Sequence, residues 1–299
     1  MNQAGTCNQR IRKKQTLNIL GCKMTSITID RLEKVKKYYS ERGIEEWKRL
    51  VRDPYHQIEF ITTMHFLKKY LPKKGHILDA GGGPGRYTIE LAKLGYDVTL
   101  IDFTPKLLNI ARRQIKKADV EKRVKQVVEA SITGLQGFDD NSFDAVLCLG
   151  GPLSHLLSKR ERQKAAAELV RVTKKNAPMF VSVISLFGVL VSELVNFQNE
   201  IELPFFKEVC NSGDYVGDYG FTVSHFFIPE ELKILFAKKT KNVAIVGLEG
   251  LASSHSREVN RLYKNKKRWK IWIETHLQNC TNSSIVGVSE HILLIGLKK

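Results

Sequence analysis

Between His76 and Ser185 the chain alternates between two patterns, and this alternation restricts its fold more than any other feature of its 299 residues. The runs HILDA, DVTLID, VKQVVEA, FDAVLCLG and MFVSVIS are short, apolar and rich in β-branched residues, as strands are. Pro84 to Leu94, Pro105 to Lys117 and Lys159 to Lys175 instead repeat apolar residues at three- and four-residue steps and read as helices. Strands that alternate with helices build a parallel sheet with helices on both faces, so the fold class is α/β. Residues 30 to 71, including IEFITTMHFLKKYL, predict two or three helices ahead of the first strand. Beyond the alternation, IPEELKILFAKK predicts a capped helix, and KNVAIVGLEG and SEHILLIGLKK two further strands.

In open sheets of this class ligands bind beyond the carboxyl ends of the strands. There the first strand runs into ILDAGGGPGR, residues 77 to 86, a stretch with almost no side chain. Bare backbone at the start of a helix admits a flat or charged ligand, and the first turn offers it unpaired N–H groups. A dinucleotide turn, G-x-G-x-x-G, does not fit, because Arg86 stands where its third glycine belongs. Counting from Gly82 instead meets Pro84 and Tyr87, and no Gly-Lys-Ser/Thr follows as a phosphate loop requires. What fits is Asp79-x-Gly81-x-Gly83-x-Gly85 followed by Asp102 at the end of the second strand. An acid at that place, about 20 residues beyond the glycines, accepts both hydroxyls of a ribose.

With these residues the sequence resembles the S-adenosylmethionine-dependent methyltransferases of Rossmann-like fold, from about Tyr39 to the C-terminus. Within them it looks like the branch that holds the ubiquinone/menaquinone-type and other small-molecule enzymes, and it is similar to prokaryotic proteins whose glycine loop is also written GGGPGRY. The resemblance implies S-adenosylmethionine as cofactor and a seven-stranded, mostly parallel sheet of order 3-2-1-4-5-7-6 with its last strand antiparallel. It also implies roles. Asp79 orients the loop and the methionine ammonium, Gly81 and Gly83 allow close approach, Asp102 binds the ribose, and Phe103 flanks the adenine. After the third strand EASITGL departs from the usual Asp-Ala-x-x-Leu, so Ser131 and the backbone of Ile132 take the adenine contact. Leu149 and Gly150, after the fourth strand, lie beside the cofactor, and Tyr39 matches an aromatic that closes over it.

The acceptor is written less clearly. GGPLSHL follows the fourth strand where base-amine methyltransferases carry Asn or Asp, then Pro-Pro and an aromatic, and no Pro-Cys nucleophile is present. His155 follows that strand by a few residues and is the candidate base, with a capping or surface role as the alternative. Phe187 to Phe227 interrupts the run from the fifth strand to the next helix. In this superfamily insertions there build a lid, so residues 187–227 are expected to cap the substrate, with Tyr215, Tyr219 and His225 as contacts or as the cap's own core. The reading is a methyltransferase for a small-molecule O, N or C nucleophile. An RNA or protein methyltransferase and a non-catalytic cofactor-binding module are the alternatives.

Composition bounds the partners. The chain has 48 Lys and Arg against 31 Asp and Glu, net +17, a balance that suits nucleic acid or an anionic substrate. Much of the excess lies in SREVNRLYKNKKRWK, Ser256 to Lys270. A helical projection puts Val259, Leu262, Trp269, Ile273 and Leu277 on one side, which predicts one amphipathic helix over 256–278 with a solvated basic face. Cys7, Cys22, Cys148, Cys210 and Cys280 form no C-x-x-C pair, so neither a metal site nor a disulfide framework is expected, and a cytoplasmic location fits. The most apolar stretch, Met179 to Val195, is short for a bilayer span and is broken by serines, Gly188 and Glu193. Residues 1–26 hold five basic residues and no acid, and read as a disordered tail or as sequence ahead of a start at Met24. The methyltransferase domain is expected over 27–299, opening with helices over 27–72.

Overall fold

Seven strands form the central sheet: β1 (His76–Ala80), β2 (Asp97–Asp102), β3 (Val124–Glu129), β4 (Ala145–Cys148), β5 (Pro178–Ile184), β8 (Thr240–Gly247) and β9 (His291–Lys298). Their order is β3-β2-β1-β4-β5-β9-β8, the expected one. β1 runs parallel to β2 and β4, while β9 lies antiparallel between β5 and β8. This computed structural model describes residues 26–299; the basic tail expected over 1–26, with Cys7 and Cys22, falls outside them but for Ser26.

Successive side chains of a strand point to opposite faces, so both faces of the central strands must be apolar. Ile77, Ala145, Leu147 and Phe180 join one core. Leu78, Val146, Cys148 and Val181 join the other. The first core is closed by α3 (Pro54–Tyr70), α4 (Arg86–Lys93) and α5 (Pro105–Lys117), through Phe66, Leu91 and Leu108. The second is closed by α6 (Lys159–Val172) and α9 (Pro229–Ala237), through Leu169 and Phe236. Before the sheet come α1 (Ser26–Glu41), α2 (Gly43–Lys48) and α3, so three helices fill the region where two or three were expected.

Element ends shift for local reasons. α4 begins at Arg86 rather than Pro84 because Gly85 is left-handed, with φ +82°, and a helix cannot run through that conformation. α6 stops at Val172 because Thr173 is extended and bridges to Phe143. The basic segment is not one helix. It breaks into α10 (Ser256–Leu262) and α11 (Lys266–Asn279), because Asn265 leaves the helix and caps α11, its side chain accepting from Arg268 N at 3.0 Å. Of the projected apolar side, Val259, Trp269 and Ile273 pack against Tyr55 and Ile58, where Trp272 joins them; Leu262 and Leu277 are not part of that cluster.

Residues 186–227 form α7 (Leu186–Asn196), α8 (Pro204–Ser212) and a two-stranded ribbon of β6 (Asp214–Tyr215) and β7 (Ser224–His225). A short helix, α12 (Ser283–Val286), precedes β9. Among the described residues no helix is long and apolar enough to cross a membrane.

Candidate active site

The carboxyl ends of β1, β2 and β4 open onto one cleft, and α1 and α2 cross above it. Gly81, Gly83, Asp102, Phe103, Ser131 and Ile132 line it, together with Leu149, Gly150, Tyr39 and His155. Gly81 holds φ +75°, and a Cβ there would sit 2.5 Å from Pro152 Cγ, so only glycine lets the loop pass under Pro152. Its N–H, like that of Gly82, donates to Ile101 O, which pins the turn to the end of β2.

Asp102 is the hub of the cleft. Its two carboxylate oxygens accept from Gly83 N at 3.0 Å and Thr104 N at 2.8 Å. Burial pushes its carboxyl up to about 6 against the pull of those two N–H groups. Each oxygen keeps a lone pair for a further donor. Asp79 does not line the cleft. It is fully buried behind the loop, where Oδ2 accepts from Thr88 Oγ1 at 2.6 Å and Oδ1 has no partner. Burial raises its carboxyl to about 6 as well. A buried carboxylate oxygen without a donor is costly, and it fits a site that takes up a cationic group near the loop. The donor set therefore suits a nucleoside with a charged tail: backbone glycines at the bend, a ribose-type acceptor in Asp102, and an apolar wall of Phe103, Ile132 and Leu149.

Ser131 does not point a free hydroxyl at the cleft; its Oγ is 2.9 Å from Thr133 Oγ1 and accepts from Thr133 N. His155 lies on a single 3₁₀ turn after β4, 8 % exposed. Its Nδ1 is 2.8 Å from Val223 O and its Nε2 2.7 Å from Tyr39 Oη. A carbonyl only accepts, so Nδ1 carries the proton and Tyr39 O–H donates to Nε2. Burial lowers the imidazole to about 4, partly offset by the Val223 carbonyl, so the ring is neutral. The sign of its effect on stability follows. In the unfolded chain histidine titrates near 6.5, so the unfolded state binds the proton first and stability is lost as pH falls from 6.5 toward 4. Between about pH 7 and 4.5 the wild type should lose ~2–3 kcal/mol more than a His155→Gln variant, read from urea midpoints at both pH values. Equal losses would show that the imidazole titrates normally.

The three cap residues lie away from this cleft. Tyr215 is buried against Phe205 and Phe226, with its hydroxyl tied to the backbone of Tyr219, and Tyr219 is 56 % exposed. His225 is clasped by Asp214 at 2.6 Å and Glu231 at 2.9 Å, and Glu231 also meets Arg162, so the ribbon is latched to α6 and α9.

Among the lining residues that escape sequence reasoning, three are charged: Glu46, Arg49 and Arg86. Nothing local distinguishes Arg49 from Arg42 or Arg52. Its guanidinium grips Glu59, 3 % exposed, through Nη1 at 2.5 Å and Nη2 at 3.3 Å, while Nε donates to Glu46 at 3.0 Å. Glu59, Glu249 and His291 bring three donor atoms within 4.8 Å of one another. His291 Nδ1 is 2.8 Å from Glu249 Oε1. Burial alone would lower this imidazole, but the carboxylates of Glu59 and Glu249 outweigh it and push it up to about 9. Guanidinium and imidazolium thus balance two buried carboxylates. Beside the cleft, and sharing Tyr39, Glu46, Arg49 and Gly150 with it, opens a polar cavity of about 410 Å³ roofed by α7 and Phe221.

Known proteins resemble parts of this chain in sequence and share its fold. A family model described as a methyltransferase domain matches residues 77–176, the span from β1 to just before β5 that carries the glycine loop, Asp102 and His155. A glycine/sarcosine N-methyltransferase of Parasynechococcus marenigrum is 30% identical over 165 residues, 55% of this chain and 53% of its own length. The chain spans about half the length of the curated relatives it matches first. A SAM-dependent methyltransferase structure from Methanosarcina mazei superposes with a TM-score of 0.53 at 19% identity, covering 78% of this chain and 96% of that one. The 1,6-didemethyltoxoflavin-N1-methyltransferase of Burkholderia thailandensis, solved with S-adenosylhomocysteine, also gives 0.53, at 15% identity over 93% of this chain and 92% of its own. Residues 77–176 thus match a methyltransferase domain, and the sheet that carries them has the fold of solved S-adenosylmethionine-dependent methyltransferases.

Proposed function

We propose that this protein transfers a methyl group from S-adenosylmethionine to a small-molecule nucleophile held in the cavity beside Tyr39. One observation carries the reading: beside the cleft that joins the glycine loop to Asp102, and sharing Tyr39 and Gly150 with it, lies a half-open cavity of small-molecule size lined by polar residues. α7 and Phe221 wall one side of it, and its volume of about 410 Å³ is that of a small-molecule site. The relatives named above, an N-methyltransferase of glycine and sarcosine among them, support a small acceptor.

The bound cofactor supplies a methyl group already activated on a sulfonium, so the chain's work is placement, and holding reactants at near-attack distance is worth roughly 7–11 kcal/mol. Asp102 accepts the ribose hydroxyls, the backbone from Gly81 to Gly83 lies along the bend, and Asp79 stiffens the loop through Thr88 while its free oxygen attracts the cationic end. Arg49, held by Glu46 and Glu59, presents positive charge at the boundary between cleft and cavity. His155 acts through Tyr39. A neutral ring with both nitrogens engaged is a poor proton acceptor, and it fixes the phenol over the cleft as a positioning residue. Residues 187–227 serve as the cap, with Tyr215 in the cap's own core and His225 in its latch.

Calorimetric titration with S-adenosylhomocysteine tests this reading through its pH dependence. Ribose hydroxyls donate to a carboxylate, so affinity should be full above about pH 7 and should fall up to tenfold per unit as pH drops through about 6, where Asp102 protonates. Absence of binding by the folded protein at every pH would overturn the proposal.

A further inference from the structure

A second chamber adjoins the polar cavity. Val189, Glu193, Phe221 and Phe226 are walls common to it and to this chamber of about 350 Å³, which α7, α8 and the ribbon line. This chamber is aromatic: Phe197, Phe205, Phe206, Tyr215 and Tyr219 join Phe221 and Phe226 around it, and its charged residues are Glu193 and Glu200 alone. An apolar cavity of about 150 Å³ suffices for a benzene ring.

The polar cavity carries the opposite signature for a chain of net charge +17. Its buried cations are already engaged, Arg49 by Glu46 and Glu59 and His291 by Glu249. Arg42 and Arg52 stand at the solvent rim, 43 % and 58 % exposed. Among the described residues, two carboxylates inside form no ion pair. Glu290 accepts only neutral donors, Tyr55 O–H and the N–H and hydroxyl of Ser254. Glu193, at the junction of the two chambers, has an enclosed Oε2 with no partner, and burial together with Glu200 pushes its carboxyl up to about 7. Such groups are satisfied by an ammonium and repel an anion.

We infer that the methyl acceptor is an amphipathic amine, whose basic nitrogen is drawn into the polar cavity by Glu193 and Glu290 and whose aromatic or branched apolar tail fills the chamber behind Phe221 and Phe226. The inference rests on the methyltransferase reading above and adds the substrate class. In the transfer, the ammonium first gives its proton to water. The nitrogen lone pair then forms the bond to the methyl carbon as the carbon–sulfur bond breaks and its electron pair passes to sulfur, leaving an N-methylammonium and a neutral thioether.

Calorimetry on the full chain saturated with S-adenosylhomocysteine separates the two parts. The probes are 2-phenylethylamine, ethylamine, which lacks the tail, and 2-phenylethanol, which lacks the charge. The expected result is 2-phenylethylamine binding at least about tenfold tighter than either control. Phe205→Ala, or Phe206→Ala should the first variant misfold, shrinks the preference over ethylamine by about tenfold. Glu193→Gln shrinks the preference over 2-phenylethanol. The same ordering is expected in kcat/KM with methyl-labelled donor. Equal affinity for the three probes, with S-adenosylhomocysteine bound, overturns the amine assignment and leaves the methyltransferase reading intact. Failure of the folded protein to bind S-adenosylhomocysteine at all overturns both.

Discussion

An Asp102→Ala variant should lose S-adenosylhomocysteine binding by a factor of about 10² to 10⁴. Each hydrogen bond from a ribose hydroxyl to a carboxylate is worth about 1.5–3 kcal/mol, and two are lost together. The same carboxylate holds Gly83 N and Thr104 N, so alanine also frees the glycine loop. Asp102→Asn separates these effects. The amide oxygen still accepts one backbone N–H, and its binding should fall by at least about tenfold with the thermal midpoint little changed. Binding by the alanine variant within about threefold of wild type would show that Asp102 does not touch the ligand.

Arg49→Ala is expected to cost about 3–5 kcal/mol of stability, because it strands the Glu59 carboxylate in the interior with His291, 3.9 Å away, as its remaining cation. For a chain of this size that lowers the thermal midpoint by roughly 5–8 °C. Glu59→Gln in the same background should restore part of the loss, since removing both charges is far less costly than removing one. The network also has a pH signature. His291 is raised above its unfolded value to about 9, so the stability it contributes is full below about pH 6.5 and disappears as pH rises through 9. Urea midpoints of wild type and His291→Gln should therefore diverge at pH 6 and converge above about pH 9. A stable Arg49→Ala protein, with the midpoint of wild type, would mean that water reaches Glu59 freely.

The same two predictions mark how far sequence reasoning reaches. The place of Asp102 is legible because it is local: a strand must end and a helix must begin at LIDFTPKLL, and the acid stands at the carboxyl end of that strand whatever the rest of the chain does. Gly81 is legible for a like reason, since a turn under Pro152 at φ +75° admits no side chain. Arg49 is not. It becomes part of the cleft only because α2 crosses the strand ends and because Glu59, from the middle of α3, turns toward it. No periodicity records that meeting. His155 lies between. Its place after β4 is legible, but its protonation is set by burial and by Val223 and Tyr39, which arrive from just before β7 and from α1.

The break of the basic segment at Asn265 has a related origin. Helical projection finds Val259, Trp269 and Ile273 of the buried side, because burial follows period, but it misses Trp272 and is blind to the side chain of Asn265 that caps a second helix.

By itself, then, the amino-acid sequence determined the α/β class, the strand order implied by its family resemblance, the glycine turn and the acid that faces it. These depend on backbone geometry and on contacts a few residues apart, which periodicity and residue type encode directly. Only the tertiary structure decided the balance of charge around Arg49 and His291, the neutral state of His155, and the placement of an aromatic chamber against a polar cavity. Those properties arise where segments from distant parts of the chain exclude water together, and the cost of burying a charge is set by every neighbour at once.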